Sequence, residues 1–362
     1  MSVLFPFNLP APTAFYVLLL VLTFAVSQAC MHYVVAGSLY VAWATLFPGR
    51  GSVPRGDQPL GATLRDWLPF LLSAAITAGV APLLFIQVVY QRHFYTANLL
   101  LSWRWMVVVP VLIAAFYLLY LLKSKVMERW PVAVRAALAW GTAGCFVFVG
   151  FCWTANALLG INETRWPEIY ITGSMPFATV EILSRMLIWM GAAFMTLPAM
   201  VAWQLRWRQD FFTEVEAAVG TRSLAVMAWG GQLVLIVASW TYLNFLGTPA
   251  RQVLTDSAVL PHVIGALVGM ILQTAFWIVQ WRTGRLCRHR LVAVSIGSVS
   301  MLLGISFVRE ALRVSALDMT QLYQRHVDAA QVGGFSVFVV FAVLISVMIG
   351  WCVAIVRRGW QE

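Results

Sequence analysis

Residues Gly79–Trp105, with the sequence GVAPLLFIQVVYQRHFYTANLLLSWRW, contain the junction between two long apolar segments. Between these segments lies a short connection that carries Arg92, His93, Asn98 and several aromatic residues. Such a mixture is typical of the headgroup depth of a membrane, where arginine and aromatic side chains anchor the ends of helices. The same residues also suit a binding site for an amphipathic ligand or a partner protein, and both interpretations stay open.

The composition places the chain in a membrane. Of its 362 residues, 61% are hydrophobic and only 10% are charged, whereas a soluble domain has about a quarter charged residues. So little charge cannot cover so large an apolar core, and we therefore predict an all-α, polytopic transmembrane helical bundle. The net charge of +10 does not indicate nucleic-acid binding, because the basic residues lie between apolar segments rather than on a soluble domain.

The apolar segments predict about nine transmembrane helices in a single membrane domain that covers residues 1–362. Their approximate ranges are 13–47, 67–90, 104–122, 132–159, 177–207, 223–246, 259–281, 291–308 and 334–356. If the N-terminus is outside, 16 of the 24 basic residues lie in cytoplasmic loops or the C-terminal tail and seven lie outside. This asymmetry favours an outside N-terminus and a cytoplasmic C-terminus. The first basic residue is Arg50, so we expect the first helix to stay in the membrane rather than to be cleaved as a signal peptide.

The cysteines exclude several kinds of metal site. The chain has five cysteines, without a CxxC or CxxCH pattern, so we expect no covalently attached heme and no iron–sulfur or zinc set. Four of them lie in apolar segments, where a cysteine behaves as a small buried hydrophobic residue.

Two ionisable residues lie within the fifth predicted span. Glu181 and Arg185 are four residues apart, so they lie on one face of a helix and can form an ion pair. Charged residues inside a membrane are rare and are often functional. The pair is either a neutralised lock between helices or a device that holds a propionate or steers a proton.

Three residues have side chains that can bind a metal. His32 lies deep in the first span, His262 lies in the first turn of the seventh, and Met270 lies eight residues further along. A neutral imidazole binds heme iron through one nitrogen while a neighbouring acceptor holds the other. A buried histidine can instead donate a hydrogen bond between helices. We predict His32 and His262 as metal ligands and Met270 as a further heme contact.

A charged rim is predicted at the outer side of the bundle. Arg309 and Arg313 lie four residues apart at the end of the eighth span, with Glu310 beside Arg309. Gln87 and His93 are expected on the same side. The rim suits quinone headgroups, heme propionates or an acidic partner, and anchoring to lipid headgroups explains it equally well.

Parts of the chain resemble a known family. Gly79-Val80-Ala81, followed by Gln87 and by Phe94-Tyr95, resembles the second helix of cytochrome bd quinol oxidase subunit I. The sequence FCWTANA at residues 151–157 is similar to the small-residue-plus-asparagine ending of that family's fourth helix. The resemblance covers residues 13–220, and residues 221–362 carry additional helices without a recognised signature. It implies b-type hemes, oxidation of quinol near the outer face and onward transfer of electrons.

The chain also departs from this family. The stretch that corresponds to the family's heme-ligating histidine in helix five has Ser184 and Arg185 instead. In helix one the family's histidine lies a turn or more before His32, near Val26-Ser27. The family's acidic residues in helix three and its Gly-Arg-Gln-Pro motif have no counterpart here. These departures argue against an oxygen-reducing site of the family's kind.

The resemblance and the polar residues together predict a subunit of a respiratory electron-transfer complex in a bacterial inner membrane. We expect it to pass electrons between quinone and a redox partner, with heme b and quinone as cofactors. The residues expected at the cofactors are His32, His262, Met270, Gln87, His93, Arg309 and Glu310. The expected partners are other membrane and periplasmic redox subunits and the lipid membrane.

Two further hypotheses stay open, and whether the chain is itself an enzyme is left undecided. The first is a heme-free scaffold that anchors heme-bearing partners, which the missing helix-five histidine favours. The second is a transporter. The broken helices and repeated halves that are typical of transporters are not visible in the sequence.

Overall fold

The computed structural model describes residues 9–46, 59–173, 179–207 and 213–331, with isolated helical positions between 336 and 351. These residues form α-helices and two short 3-10 helices, and no strand is present among them. The α-helices are α1 (Ala11–Leu46), α2 (Pro59–Val89), α3 (Gln91–Leu101), α4 (Trp103–Met106), α5 (Val108–Lys123), α6 (Val132–Leu159), α7 (Trp166–Thr172), α8 (Val180–Trp207), α9 (Glu214–Phe245), α10 (Thr248–Val253), α11 (Leu260–Thr283), α12 (Arg288–Ala316) and α13 (Thr320–Gln331).

Eight helical stretches among these residues are long and apolar enough to cross a membrane. They are α1, α2, the α4–α5 stretch, α6, α8, α9, α11 and α12. The prediction of an all-α, polytopic transmembrane bundle is therefore confirmed, and the chain is an integral membrane protein. The predicted ninth span, residues 334–356, lies outside the described residues apart from isolated positions.

The predicted ends of the two spans at the opening junction, Tyr90 and Arg104, lie within one residue of the observed Val89 and Trp103. The connection expected around His93 is helical, because α3 covers Gln91–Leu101. The chain leaves the helical conformation at Tyr90, between α2 and α3, and again at Ser102, whose φ of 54° is left-handed and cannot continue a right-handed helix. The interfacial segment is thus an ordered helix that can hold side chains at fixed positions.

The eighth span is also longer than expected. It was predicted to end at residue 308, followed by a connection from 309 to 333, but α12 continues to Ala316 and α13 forms a second helix within that connection. Charged residues suggested a loop, yet Glu310 and Arg313 pair along one face of the helix. A neutralised pair at this spacing stabilises a helix instead of ending it.

Glycines allow two pairs of helices to pack at backbone contact. A Cβ atom added at Gly231 of α9 would lie 2.7 Å from the carbonyl oxygen of Gly191 in α8. A Cβ atom added at Gly269 of α11 would lie 2.5 Å from the carbonyl oxygen of Gly297 in α12. Small residues at such contacts are the usual way in which helices associate in lipid.

Helix α1 lies at the centre of the bundle and contacts α2, α6, α8, α12 and α13. Its first turn meets α13, where the Thr13 hydroxyl and Nδ1 of His326 are 2.9 Å apart. Because spanning helices alternate in direction, the start of α1 lies at the same end as the last residues of α2 and α12. We call this the N-terminal end of the bundle.

Candidate functional site

His32 lies in the middle of α1, and its side chain is buried between α1 and α8. Its Nδ1 atom is 3.2 Å from the hydroxyl oxygen of Thr196, and the ring of Trp189 stands edge-on at 6.1 Å between ring centroids. The other nitrogen, Nε2, is buried and has no hydrogen-bond partner among the described residues. A buried polar atom without a partner is uncommon in proteins, so this nitrogen calls for an explanation.

The hydrogen bonds around Thr196 indicate which nitrogen of His32 carries the proton. The Thr196 hydroxyl donates to the carbonyl oxygen of Ala192 at 2.8 Å, so its oxygen is left to accept a hydrogen bond from Nδ1–H of His32. The proton therefore lies on Nδ1 and the lone pair on Nε2. A metal-binding histidine has this arrangement, with one nitrogen free and the other held by a neighbouring acceptor.

The free lone pair at Nε2 of His32 is of the kind that binds heme iron. Ala29, one turn before His32, packs against a small apolar cluster that contains Met195, Met270 and Met301. A methionine thioether is a second axial ligand in some cytochromes, and the heme contact expected at Met270 stays a prediction. No group of three or more His, Cys, Asp or Glu side chains is placed to hold a metal ion in the described part of the chain.

His262 lies at a different height along α11 from Met270. It is eight residues before Met270 on α11, which is about 12 Å along the helix axis at a rise of about 1.5 Å per residue. One iron therefore cannot bind both residues. The His262 ring lies flat on Phe307, with ring centroids 4.1 Å apart and planes 12° apart, and it is only partly buried. The heme roles predicted for these residues stay predictions.

A charged group lies near the N-terminal end. We call it the arginine cluster, and it consists of Glu181, Arg185, Arg309, Glu310 and Arg313. Glu310 is 1% exposed and Arg313 is 7% exposed, and Oε2 of Glu310 is 3.2 Å from Nη1 of Arg313. The expected ion pair of helix five is present, with Nη2 of Arg185 3.7 Å from Oε1 of Glu181.

Two tyrosines extend the arginine cluster. Arg185 donates a hydrogen bond to the hydroxyl of Tyr242 in α9, which joins α8 to α9. Tyr90, the residue that follows α2, places its ring 5.2 Å from the Arg313 guanidinium. Burial, with the nearby charge of Glu310, raises the pKa of Tyr90 well above its usual value, so its hydroxyl keeps its proton at neutral pH.

Arg309 differs from the other arginines of the cluster. Its guanidinium lies over the ring of Phe24 in α1, 4.1 Å from the ring centroid. Among the described residues, no carboxylate lies within 4.0 Å of it. The predicted rim is therefore a partly buried cluster between helices.

Gln87 and His93 form a separate group on α2 and α3. Gln87 accepts a hydrogen bond of 3.2 Å from the hydroxyl of Tyr95. Nε2 of His93 lies 2.6 Å from Oε1 of Glu163, whose other oxygen is 3.5 Å from Nη2 of Arg92. His93 is thus held by a carboxylate, which clamps α3 to the segment that follows α6.

Several residues of these sites are not apparent from the sequence, among them Thr196, Tyr242 and Tyr90. Thr196 and Tyr242 sit in unremarkable apolar stretches, and no pattern there indicates their roles. Tyr90 carried a weak signal, because it is a hydroxyl-bearing residue at the polar boundary of the second apolar segment. Only the fold brings it to the charges of α12.

Comparisons with protein-family models, with curated proteins and with solved structures found no match to this chain.

Proposed function

We propose that this chain is a subunit of a respiratory electron-transfer complex in a bacterial inner membrane, with its N-terminus outside. In this proposal it passes electrons between quinone and a redox partner subunit and uses a b-type heme. The observation that carries the proposal is the buried, unpartnered Nε2 of His32, whose lone pair is set by Thr196.

His32 would bind the heme iron through Nε2, and Thr196 would hold the ring in the correct tautomer and orientation. When bound, a b heme supplies one-electron redox chemistry. Trp189 and the surrounding apolar side chains keep water away from His32, and a dry setting of this kind is one of the factors that set a heme's potential.

The N-terminal end supports the quinone and partner parts of the proposal. Gln87 with Tyr95 and the arginine cluster offer hydrogen-bond donors at that end. A quinone has two carbonyl oxygens, which accept such bonds. Partly exposed arginines also suit the carboxylates of an acidic partner.

The test is a reduced-minus-oxidised absorption spectrum of the purified chain, with a pyridine hemochrome assay for heme per chain. We expect about one b heme per chain, and His32→Ala is expected to remove its band. His289→Ala is the matched control, because this exposed histidine lies at the start of α12, at the opposite end of the bundle. An unchanged spectrum in folded His32→Ala would contradict the role of His32.

Thr196→Val tests whether this hydroxyl positions His32. Valine keeps the shape but removes the acceptor for Nδ1–H. We expect the heme to stay bound with a changed midpoint potential, whereas a merely structural role would leave the potential unmoved.

A heme-free scaffold is the second candidate, and Arg185 favours it. Arg185 lies in the stretch where the resemblance implies a heme-ligating histidine. Its side chain forms an ion pair with Glu181 and donates a hydrogen bond to Tyr242. The same spectrum separates the candidates, because a folded chain without heme would support the scaffold.

A further inference from the structure

We propose that Arg309 binds a phosphate group at the seam between α1 and α12. The chemistry is that of a phosphate oxyanion, whose source is either a phospholipid headgroup or free phosphate. This site is independent of the heme proposed at His32.

The first observation is an imbalance of charge in the arginine cluster. Its three guanidinium groups meet two carboxylates, and each carboxylate is already paired, Glu310 with Arg313 and Glu181 with Arg185. Arg313 lies one helical turn from Arg309 on α12, and like charges at this spacing repel each other. A cation in a membrane-spanning helix is costly without a counter-charge, so the arrangement calls for an anion.

The second observation is the position of the Arg309 side chain. Stacking on Phe24 fixes the plane of the guanidinium, and its N–H groups point outward from the edges of that plane. Arg309 and Phe24 are both only partly buried, so a ligand can reach these donors. A planar fork of N–H groups matches two oxygens of a phosphate.

The third observation concerns the neighbours of Arg309 on α12. Ile305 and Leu312 lie about one turn away on either side, and both are partly exposed. Ile305 lies on the mid-membrane side of Arg309 and suits an acyl chain below a headgroup, whereas Leu312 lies toward the end of α12. Ile305 therefore favours a phospholipid over free phosphate as the source.

The depth of Arg309 agrees with this assignment. It lies seven residues before the end of α12, or about 10 Å along the axis. At 29 residues, α12 is about 43 Å long, against a hydrocarbon core of about 30 Å. With α12 centred in the membrane, Arg309 lies about 4 Å inside the edge of the core, within reach of the phosphate layer.

The test is thermal unfolding of the full chain in detergent during titration with phosphatidylglycerol, with phosphatidylcholine or with inorganic phosphate. We expect phosphatidylglycerol to raise the unfolding midpoint of the wild type at the lowest concentration. In Arg309→Gln the apparent affinity should fall about tenfold, because a charge-assisted hydrogen bond is lost. A midpoint raised equally well by inorganic phosphate would support the site with free phosphate as its source.

Arg251→Gln is the matched control, because Arg251 is exposed at the same end of the bundle. It should titrate like the wild type. Phe24→Leu keeps the charge but removes the stacked ring, and we expect an intermediate loss of affinity. If Arg309→Gln does not fold, native mass spectrometry of the wild type replaces the titration of this variant. We expect the wild type to retain one tightly bound phosphatidylglycerol.

Two results would overturn the proposal. One is an Arg309→Gln titration that matches the wild type. The other is a wild type that neither gains stability from any of the three additives nor retains phosphatidylglycerol. Heme per chain is measured on the same preparations, so that a loss of heme is distinguished from a loss of the phosphate site.

Discussion

The His32 site and the arginine cluster are both polar groups within an apolar bundle, but the fold treats them in opposite ways. At mid-membrane, α1 carries one neutral imidazole with one neutral partner, Thr196. Toward the N-terminal end, α8 and α12 carry five charged residues, four of which form ion pairs along their own helices.

The difference follows from the cost of burying charge. A charge at the centre of a membrane costs more than one near its edge, where headgroups and water supply partners. The middle of the bundle therefore uses neutral groups and glycine contacts between helices, whereas its end tolerates charges. In the middle of the bundle, the group without a partner is the neutral lone pair at Nε2 of His32. Toward the N-terminal end it is a cation, Arg309, which has no carboxylate within 4.0 Å among the described residues.

The largest effect is expected from Glu310→Gln, which tests whether the arginine cluster depends on its internal pairing. This change leaves Arg313 buried without a counter-charge, and breaking a buried pair costs about 3–5 kcal/mol. Replacing both partners, with Glu310→Gln and Arg313→Met, should cost less than the single change. Denaturant unfolding in detergent measures both variants.

The control for this experiment is Glu168→Gln, because Glu168 is exposed on the short helix α7. We expect a change within about 0.5 kcal/mol there. A Glu310→Gln variant as stable as that control would show that the cluster does not need its internal pairing.

A smaller effect is expected in the neutral part of the bundle, where two adjacent glycines form a matched pair. Gly231→Ala would place a Cβ atom against the backbone of Gly191, whereas nothing lies within 4 Å of a Cβ atom at Gly230. We expect Gly231→Ala to cost about 1–3 kcal/mol and Gly230→Ala to be neutral or stabilising by up to about 1 kcal/mol. Equal stability of the two variants would contradict the close packing of α8 and α9.

The sequence predicted the helical class, most of the spans and the Glu181–Arg185 pair. These succeed because they depend on local composition and on helical spacing alone. The extension of α12 was missed, because a cluster of charges suggests a loop unless the pairing of Glu310 with Arg313 is known.

The candidate sites were predicted less completely. His32 and Arg309 were identified as unusual residues, but their surroundings come from other helices. Thr196 sets the tautomer of His32 from 164 residues away, and Phe24 reaches Arg309 from the opposite part of the chain. Contacts of this kind depend on how helices pack, and the sequence does not show that packing.

The Glu181–Arg185 pair tests whether charges at the edge of the cluster matter less than charges within it. Because both side chains are partly exposed, solvent weakens their attraction, and we expect Glu181→Gln to cost about 1 kcal/mol. Arg185→Gln should cost more, because the hydrogen bond to Tyr242 is lost as well. In a double-mutant cycle by denaturant unfolding, the double variant should cost less than the sum of the single ones, and strict additivity would argue against pairing.

The smallest effect is expected from His326, a neutral buried group at the charged end of the bundle. Burial lowers the pKa of His326 below its usual value of 6.5, although the carbonyl groups of Val88 and Val89 oppose this in part. Above that pH the ring is neutral in both states, so stability is fully present. As pH falls below about 6.5, the unfolded chain binds the proton more readily than the folded one, and stability is lost.

This pH dependence can be measured as the difference in unfolding free energy between pH about 7.5 and about 5.5, which bracket the usual histidine pKa. Over this range the wild type should lose more unfolding free energy than His326→Gln, by less than about 1 kcal/mol. Gln keeps a hydrogen-bonding group opposite Thr13 but does not titrate, and His289→Gln, at an exposed site, should behave like wild type. An identical pH dependence in wild type and His326→Gln would mean that the ring takes up a proton as easily when folded, and the N-terminal end would then stabilise charge even at its buried neutral positions.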